Sequence, residues 1–151
     1  MLADARRLVA LPAGADPLQL SMLTVNPATA ALLLSEFVAL QPGDWVVQNA
    51  ANSAVGGYLV QLARARGLRT VNVVRRDGAV AAVQAAGGDV VLVDGDDLHR
   101  RVKAAIEAAG GNLPRLAIDA VGGLGLGADP SQRLGSDDRT LAASAVLADL
   151  G

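Results

Sequence analysis

From Trp45 onward the chain switches repeatedly between two spacings of apolar residues. "WVVQNA" reads as a strand, after which Val55, Leu59, Leu62 and Ala63 recur at helical spacing. "TVNVV" (Thr70 to Val74) predicts a second strand, and the stretch from Ala79 to Ala86 a helix that stops at Gly87-Gly88. "DVVLVD" is a third strand. Asp96 then offers a cap for a helix whose apolar face is Leu98, Val102, Ala105, Ile106 and Ala109. "RLAIDAV" (Arg115 to Val121) is a fourth strand. Strands separated by helices imply right-handed crossovers and a parallel sheet, so the expected fold is a three-layer α/β Rossmann-type domain of strand order 3-2-1-4. No internal repeat is present.

The flanks differ from this core. "LPAGADPLQ" reads as a Pro/Gly loop, followed by a helix from Pro27 to about Ala39 with Asn26 as its cap. "QPGD" is a turn centred on Pro42 and Gly43. At the other end "GGLGLGADP" is a connector, and a helix is expected from about Thr140 to Leu150. The expected divisions are residues 1–44 as a lead-in segment, 45–123 as the core and 124–151 as a divergent tail.

Composition narrows the picture. The chain is 52% hydrophobic but only 2% aromatic, so its core must be made of Ala, Val and Leu, which suits helices lying close on a sheet. Its length fits one domain. A net charge of -2 with mixed signs argues against nucleic acid as partner. There is no cysteine, and His99 is the single histidine, which removes thiolate and multi-histidine metal sites. No apolar run is long enough to span a membrane. The start, "MLADARRLVA", resembles neither a signal peptide nor a good transit peptide, so a cytoplasmic protein is expected.

The chemistry centres on "QNAANSAVG" (Gln48 to Gly56), where an apolar strand meets a helix. A dinucleotide fingerprint has three glycines there, for the turn, for the approach of pyrophosphate and for helix–strand packing. Here those positions hold Ala51, Ser53 and Gly56, and only the third glycine remains. Ser53 brings a hydroxyl donor. Asn52 tolerates a left-handed backbone and carries amide donors. The helix start still supplies free N–H groups and partial positive charge. On these residues alone, a pyrophosphate site and a plain strand-to-helix turn both stand. Roughly twenty residues on, where a NAD-binding unit places an acid, the chain reads "VVRRDG". Arg75 and Arg76 suit a 2′-phosphate and so favour NADP(H), against the simpler reading of solvated arginines; Asp77 would neutralise one of them or contact ribose.

Three segments, "TVNPATA" (Thr24 to Ala30), "QNAANSAVG" and "NVVRRD" (Asn72 to Asp77), closely resemble the mitochondrial-type trans-2-enoyl thioester reductases. These medium-chain dehydrogenase/reductase proteins use NADPH to saturate enoyl-CoA or enoyl-acyl-carrier-protein substrates. The Asn-Ser turn is far more specific than a bare glycine pattern, and the likeness runs from about Leu8 to Gly123, including "AIDAVGG". It implies that Asn26 lies by the cofactor, that Asn52, Ser53, Ala54 and Val55 wrap the pyrophosphate beside Gly56, and that Arg75, Arg76 and Asp77 surround the 2′-phosphate end. Asn26 keeps its capping role as an alternative. The family also carries an N-terminal catalytic domain whose tyrosine donates the substrate proton, and further strands after the fourth. The only tyrosine here is Tyr58, read as a packing residue, and the tail matches poorly.

The expectation is therefore a cofactor domain cut from an enoyl reductase of fatty acid synthesis, with no catalytic residue of its own. It would meet enoyl thioester only within a complete enzyme, and would self-associate through the open edge of the fourth strand unless the tail covers it. Alternatives are an NADPH:quinone reductase domain, a noncatalytic module or gene fragment, and a Rossmann-like methyltransferase. Of the lesser candidates, Gly123, Gly125 and Ala128 are a decoy fingerprint interrupted by Asp129-Pro130, and His99 is a surface residue. Asp119 is structural or cofactor-facing, and "DGDD" (Asp94 to Asp97) is a helix start.

Overall fold

The computed structural model describes residue 10, residues 13–121 and residues 141–142. Two helices lead in, α1 (Pro17–Ser21) and α2 (Asn26–Ser35). The core then runs β1 (Trp45–Gln48), α3 (Ala54–Ala65), β2 (Arg69–Val74), a 3-10 turn (Asp77–Ala79), α4 (Val80–Ala85), β3 (Val90–Val93), α5 (Leu98–Ala108) and β4 (Leu116–Ile118). A two-residue strand, β5 (Leu141–Ala142), closes the list.

Every pairing is parallel and the order is β3-β2-β1-β4-β5, the expected 3-2-1-4 with one strand added. Residues 141 and 142 lie in register with Leu116 and Ala117, so they are strand where a helix from Thr140 was expected. The remainder of that helix, and the Gly123–Ala128 decoy, fall outside the described residues. The edge of β4 on which self-association was expected is thus paired at these two positions.

Alternation along the strands assigns side chains to the two faces. Val46 points to one face, where it joins Leu116, Ile118, Leu59, Ala63, Leu33 and Leu34 in a cluster between the sheet, α2 and α3. Trp45 and Val47 point to the other, against Leu98, Val102 and Ile106 of α5. Ala51, Val60, Val74 and Val83 fill the space beneath α4. Each fully buried Val, Leu or Ile among them contributes about 1.5–3 kcal/mol of transfer free energy. With hardly any aromatic bulk, helices settle close to the strands. Tyr58 is half-buried against the first cluster, a packing role as read from the sequence.

Two expected caps and two helix boundaries differ from expectation. Asn26 is the first residue of α2 rather than its cap; Val25 holds that position with no side-chain bond, and Thr29 Oγ1 donates back to the Val25 carbonyl at 2.9 Å. The helix starts one residue early and ends at Ser35, short of Ala39. Asp97, not Asp96, precedes α5, and it makes no capping bond. Pro17 opens α1 inside the supposed loop, where Asp16 Oδ1 accepts from Leu18 N–H at 2.9 Å. Of α5's expected apolar face, Leu98, Val102 and Ile106 are buried, whereas Ala105 is half-buried and Ala109 exposed. No helix among the described residues is long and apolar enough to cross a membrane.

Candidate functional site

The strand-to-helix turn is fixed by a short series of backbone bonds. β1 ends at Gln48, and Asn49 N–H still donates to the Ile118 carbonyl at 3.2 Å. The chain then reverses at Ala50, the only non-glycine with positive φ (47°) among the described residues. Ala51 N–H bonds back to the Val73 carbonyl at 3.2 Å, which ties the turn to β2. The left-handed residue is therefore Ala50 and not Asn52. Because the Ala51 amide is committed to β2, the reversal must precede it. An alanine there costs roughly 1–2 kcal/mol against a right-handed conformation.

Ser53 begins α3 as its cap, with extended φ/ψ, and its Oγ accepts from Gly56 N–H at 3.1 Å. Gly57 N–H takes the Ser53 carbonyl at 2.9 Å. The N–H groups of Ala54 and Val55 have no acceptor among the described residues. They carry the partial positive charge of the helix end, and no acid lies in the first turn. Gly56 lets the helix come this close: a Cβ there would sit 2.6 Å from the Ala51 carbonyl oxygen and 2.9 Å from that of Ala50. Gly57, one residue on, faces open space.

Beside the turn, a cavity of about 170 Å³ opens at the C-terminal ends of the central strands, lined by Asn49, Ala50, Val73, Val74, Arg75, Asp94 and Val121. This is where the strand order reverses around β1, the place at which open α/β sheets bind ligands. Arg75 reaches it exposed and without an ion pair among the described residues. Arg76 and Asp77 are exposed at the start of the 3-10 turn and do not line the cavity; Asp77 pairs with neither arginine. Asn26 is half-buried at the head of α2 and does not line it either. Asn52 and Ser53 are exposed in the turn itself. Of the predicted site residues only Arg75 lines the cavity; Asn52, Ser53, Ala54, Val55 and Gly56 form the adjoining turn and helix start, and Asn26, Arg76 and Asp77 also lie outside the lining.

Of the lining residues only Arg75 was anticipated as a site residue, and two of the others, Asn49 and Asp94, are polar. Asn49 donates from Nδ2 to Asp119 Oδ1 and accepts Ala120 N–H at 2.7 Å, while Asp119 Oδ1 also accepts Val121 N–H at 3.0 Å. Asp119, 6% exposed, thereby holds Val121 as one wall. The signal lay in the register: Gln48 pairs with Ile118, so the residues after each strand are neighbours. That is readable only once strand order is known. Asp94 follows β3 and binds Gly95 N–H at 2.9 Å. A larger cavity, about 370 Å³, lies near the end of α5, and its two charged residues, Lys103 and Glu107, pair with each other at 3.9 Å.

No protein-family model matches the chain. The mitochondrial enoyl-[acyl-carrier-protein] reductase of Dictyostelium discoideum is 39% identical over 126 residues, covering 78% of this chain and 34% of that protein. Etr1p, from the mitochondrial 2-enoyl thioester reductases of Candida tropicalis, superposes in its complex with NADP and crotonyl-CoA at a TM-score of 0.63. The identity is 30%, over 73% of this chain and 32% of that one. The quinone oxidoreductase of Thermus thermophilus, solved also with NADPH, gives 31% identity and a TM-score of 0.62 over 75% of this chain and 36% of that one. The chain thus spans about a third of the length of the curated relatives it matches. The expectation of a cytoplasmic protein is overturned: the curated relatives are named as mitochondrial enzymes. That expectation rested on the lack of a leader-like pattern, which carries no address. The sheet order, the glycine-poor turn held by Gly56 and these identities converge: over the part compared, this chain is similar to the mitochondrial enoyl thioester reductases.

Proposed function

We propose that this chain is the NADP(H)-binding unit of an oxidoreductase that reduces the C=C bond of trans-2-enoyl thioesters in fatty acid synthesis. The observation that carries the reading is the start of α3, held against the turn by Gly56, with the Ala54 and Val55 N–H groups unclaimed. A diphosphate bound there would displace no hydrogen bond of these two groups. Ser53 Oγ accepts from Gly56, which leaves its hydrogen for a phosphate oxygen, and the exposed Asn52 adds amide donors. Arg75, on the crevice and without an ion pair among the described residues, takes the 2′-phosphate. Arg76 and Asp77 would flank that end and Asn26 would contribute from α2, although none of the three lines the cavity itself. In this reading residues 45–123 are the cofactor core, 1–44 lead in from the interdomain region and 124–151 form the tail.

The bound cofactor supplies the hydride; the chain binds, orients and discriminates it. The relatives' names supply the enoyl thioester, and the 151 residues alone are expected to bind cofactor without turnover. A quinone reductase is the second reading, favoured by the comparable likeness to the Thermus enzyme. Assaying crotonyl-CoA against a quinone with a full-length relative separates the two.

The direct test is NADPH against NADH binding, with Arg75→Ala as the variant. Loss of one charge-assisted contact is expected to cost about 1.5–3 kcal/mol, tenfold or more in affinity, for NADPH only. An equal loss for both cofactors contradicts the phosphate assignment.

A further inference from the structure

Two amides are buried in strands that otherwise read as apolar. Gln48 is 2% exposed at the end of β1, and Asn72, fully buried, is its register partner on β2. Burying an amide without partners costs about 1–3 kcal/mol, so the pair needs a reason. Every donor of both is spent. Asn72 Nδ2 gives one hydrogen to Thr70 Oγ1 at 2.9 Å and the other to the Val90 carbonyl at 3.1 Å. Val90's carbonyl only accepts, so it fixes which way the Asn72 amide points and turns Asn72 Oδ1 toward β1. Gln48 Nε2 donates to that oxygen at 2.8 Å and to the Gly56 carbonyl at 3.2 Å. A glycine stands at each end of the chain of bonds: besides Gly56 there is Gly88, where a Cβ would sit 2.7 Å from Asn72 Nδ2.

We propose that Gln48 is a positioning residue for the diphosphate of a dinucleotide, acting through the Gly56 carbonyl on the first turn of α3. The inference rests on the cofactor reading above. Apolar burial holds α3 on the sheet but is non-directional, and leaves the helix able to rotate or slide by fractions of an ångström. The hydrogen bond from Gln48, itself braced by Asn72 across β2 and β3, is directional. It sets the height and rotation of the turn whose next N–H groups, at Ala54 and Val55, receive the phosphate oxygens. Arg75 lies outside this chain of bonds. The two ends of the cofactor are thus governed by different residues.

The test uses the 151-residue chain and four nucleotides: NADPH, NADH, ADP and 2′-AMP. Gln48→Met keeps length and removes the donors. It is expected to weaken NADPH, NADH and ADP alike by about five- to tenfold while 2′-AMP, which has no diphosphate, binds as before. Arg75→Ala should give the complementary pattern, weakening NADPH and 2′-AMP and sparing ADP. Unchanged ADP affinity in Gln48→Met overturns the inference, and so does equal weakening of ADP and 2′-AMP, which is general loosening of the fold. A wild-type chain that binds none of the four overturns the cofactor reading and this inference together. If Gln48→Met does not fold, the wild-type chain decides by NMR. The Gln48 side-chain amide resonances should shift on adding ADP and not on adding 2′-AMP; silence toward ADP overturns the inference.

Discussion

Helices α3 and α5 each follow a strand of the same sheet and lie on opposite faces of it, yet their first turns are built from different materials. α3 is capped by the neutral Ser53, has no acid in its first turn and approaches the preceding loop as closely as Gly56 permits. α5 is preceded by Asp96 and Asp97; the Asp97 side chain makes no capping bond and sits 3.6 Å from Arg100. Both ends carry the same backbone partial charge. At α5 the chain supplies its own counter-charge and would repel an anion; at α3 it leaves the charge for a ligand. The surroundings, rather than the helix, decide whether an N-terminus is a site.

That contrast breaks most readily at Gly56. Gly56→Ala places a methyl against two carbonyl oxygens of the backbone, and about 3 kcal/mol of stability should be lost, read as a fall in the urea midpoint. Gly57→Ala, one residue along in open space, should instead gain about 0.5–1 kcal/mol from helix propensity. If both behave alike, the close approach is not what the sequence is protecting.

The caps come next in size. Ser53→Ala removes a real bond to Gly56 and should cost about 1 kcal/mol, whereas Asp97→Ala removes only an exposed ion pair and should cost under about 0.5 kcal/mol. Equal costs in thermal melts would erase the distinction between the two helix starts. The turn itself should respond in the opposite direction. Ala50→Gly relieves a left-handed alanine but adds freedom to the unfolded chain, and should gain about 0.5 kcal/mol.

Much of this architecture could be read from the letters because the two patterns are distinct: short, nearly continuous apolar runs in "WVVQ" and "VVLV", helical spacing at Val55, Leu59 and Leu62. The role of Gly56 was also legible, since the helix–strand approach it serves is common to the fingerprint. What escaped reading depends on partners distant in sequence. Nothing local marks Ala50 rather than Asn52 as the reversed residue; the Ala51 bond to Val73 decides it. Asn26 and Asp96 looked like caps because caps are recognised by residue type, while the helices begin where packing puts them. Asn49 and Asp119 meet only because β1 and β4 are neighbours. Gln48 and Asn72 were hidden inside strand patterns that register only average burial.

Trp45 is the single tryptophan, 4% exposed at the first position of β1, under the guanidinium of Arg69 at 4.8 Å and against Gly111. The crevice is at the other end of that strand, roughly 13 Å away by strand rise. Excited selectively at the red edge of indole absorption, where Tyr58 does not contribute, the molecule therefore carries one fluorophore whose native surroundings no substitution at the turn touches. Its emission reports loss of the whole fold and nothing else about those variants, so their folded baselines should superimpose and only their midpoints differ.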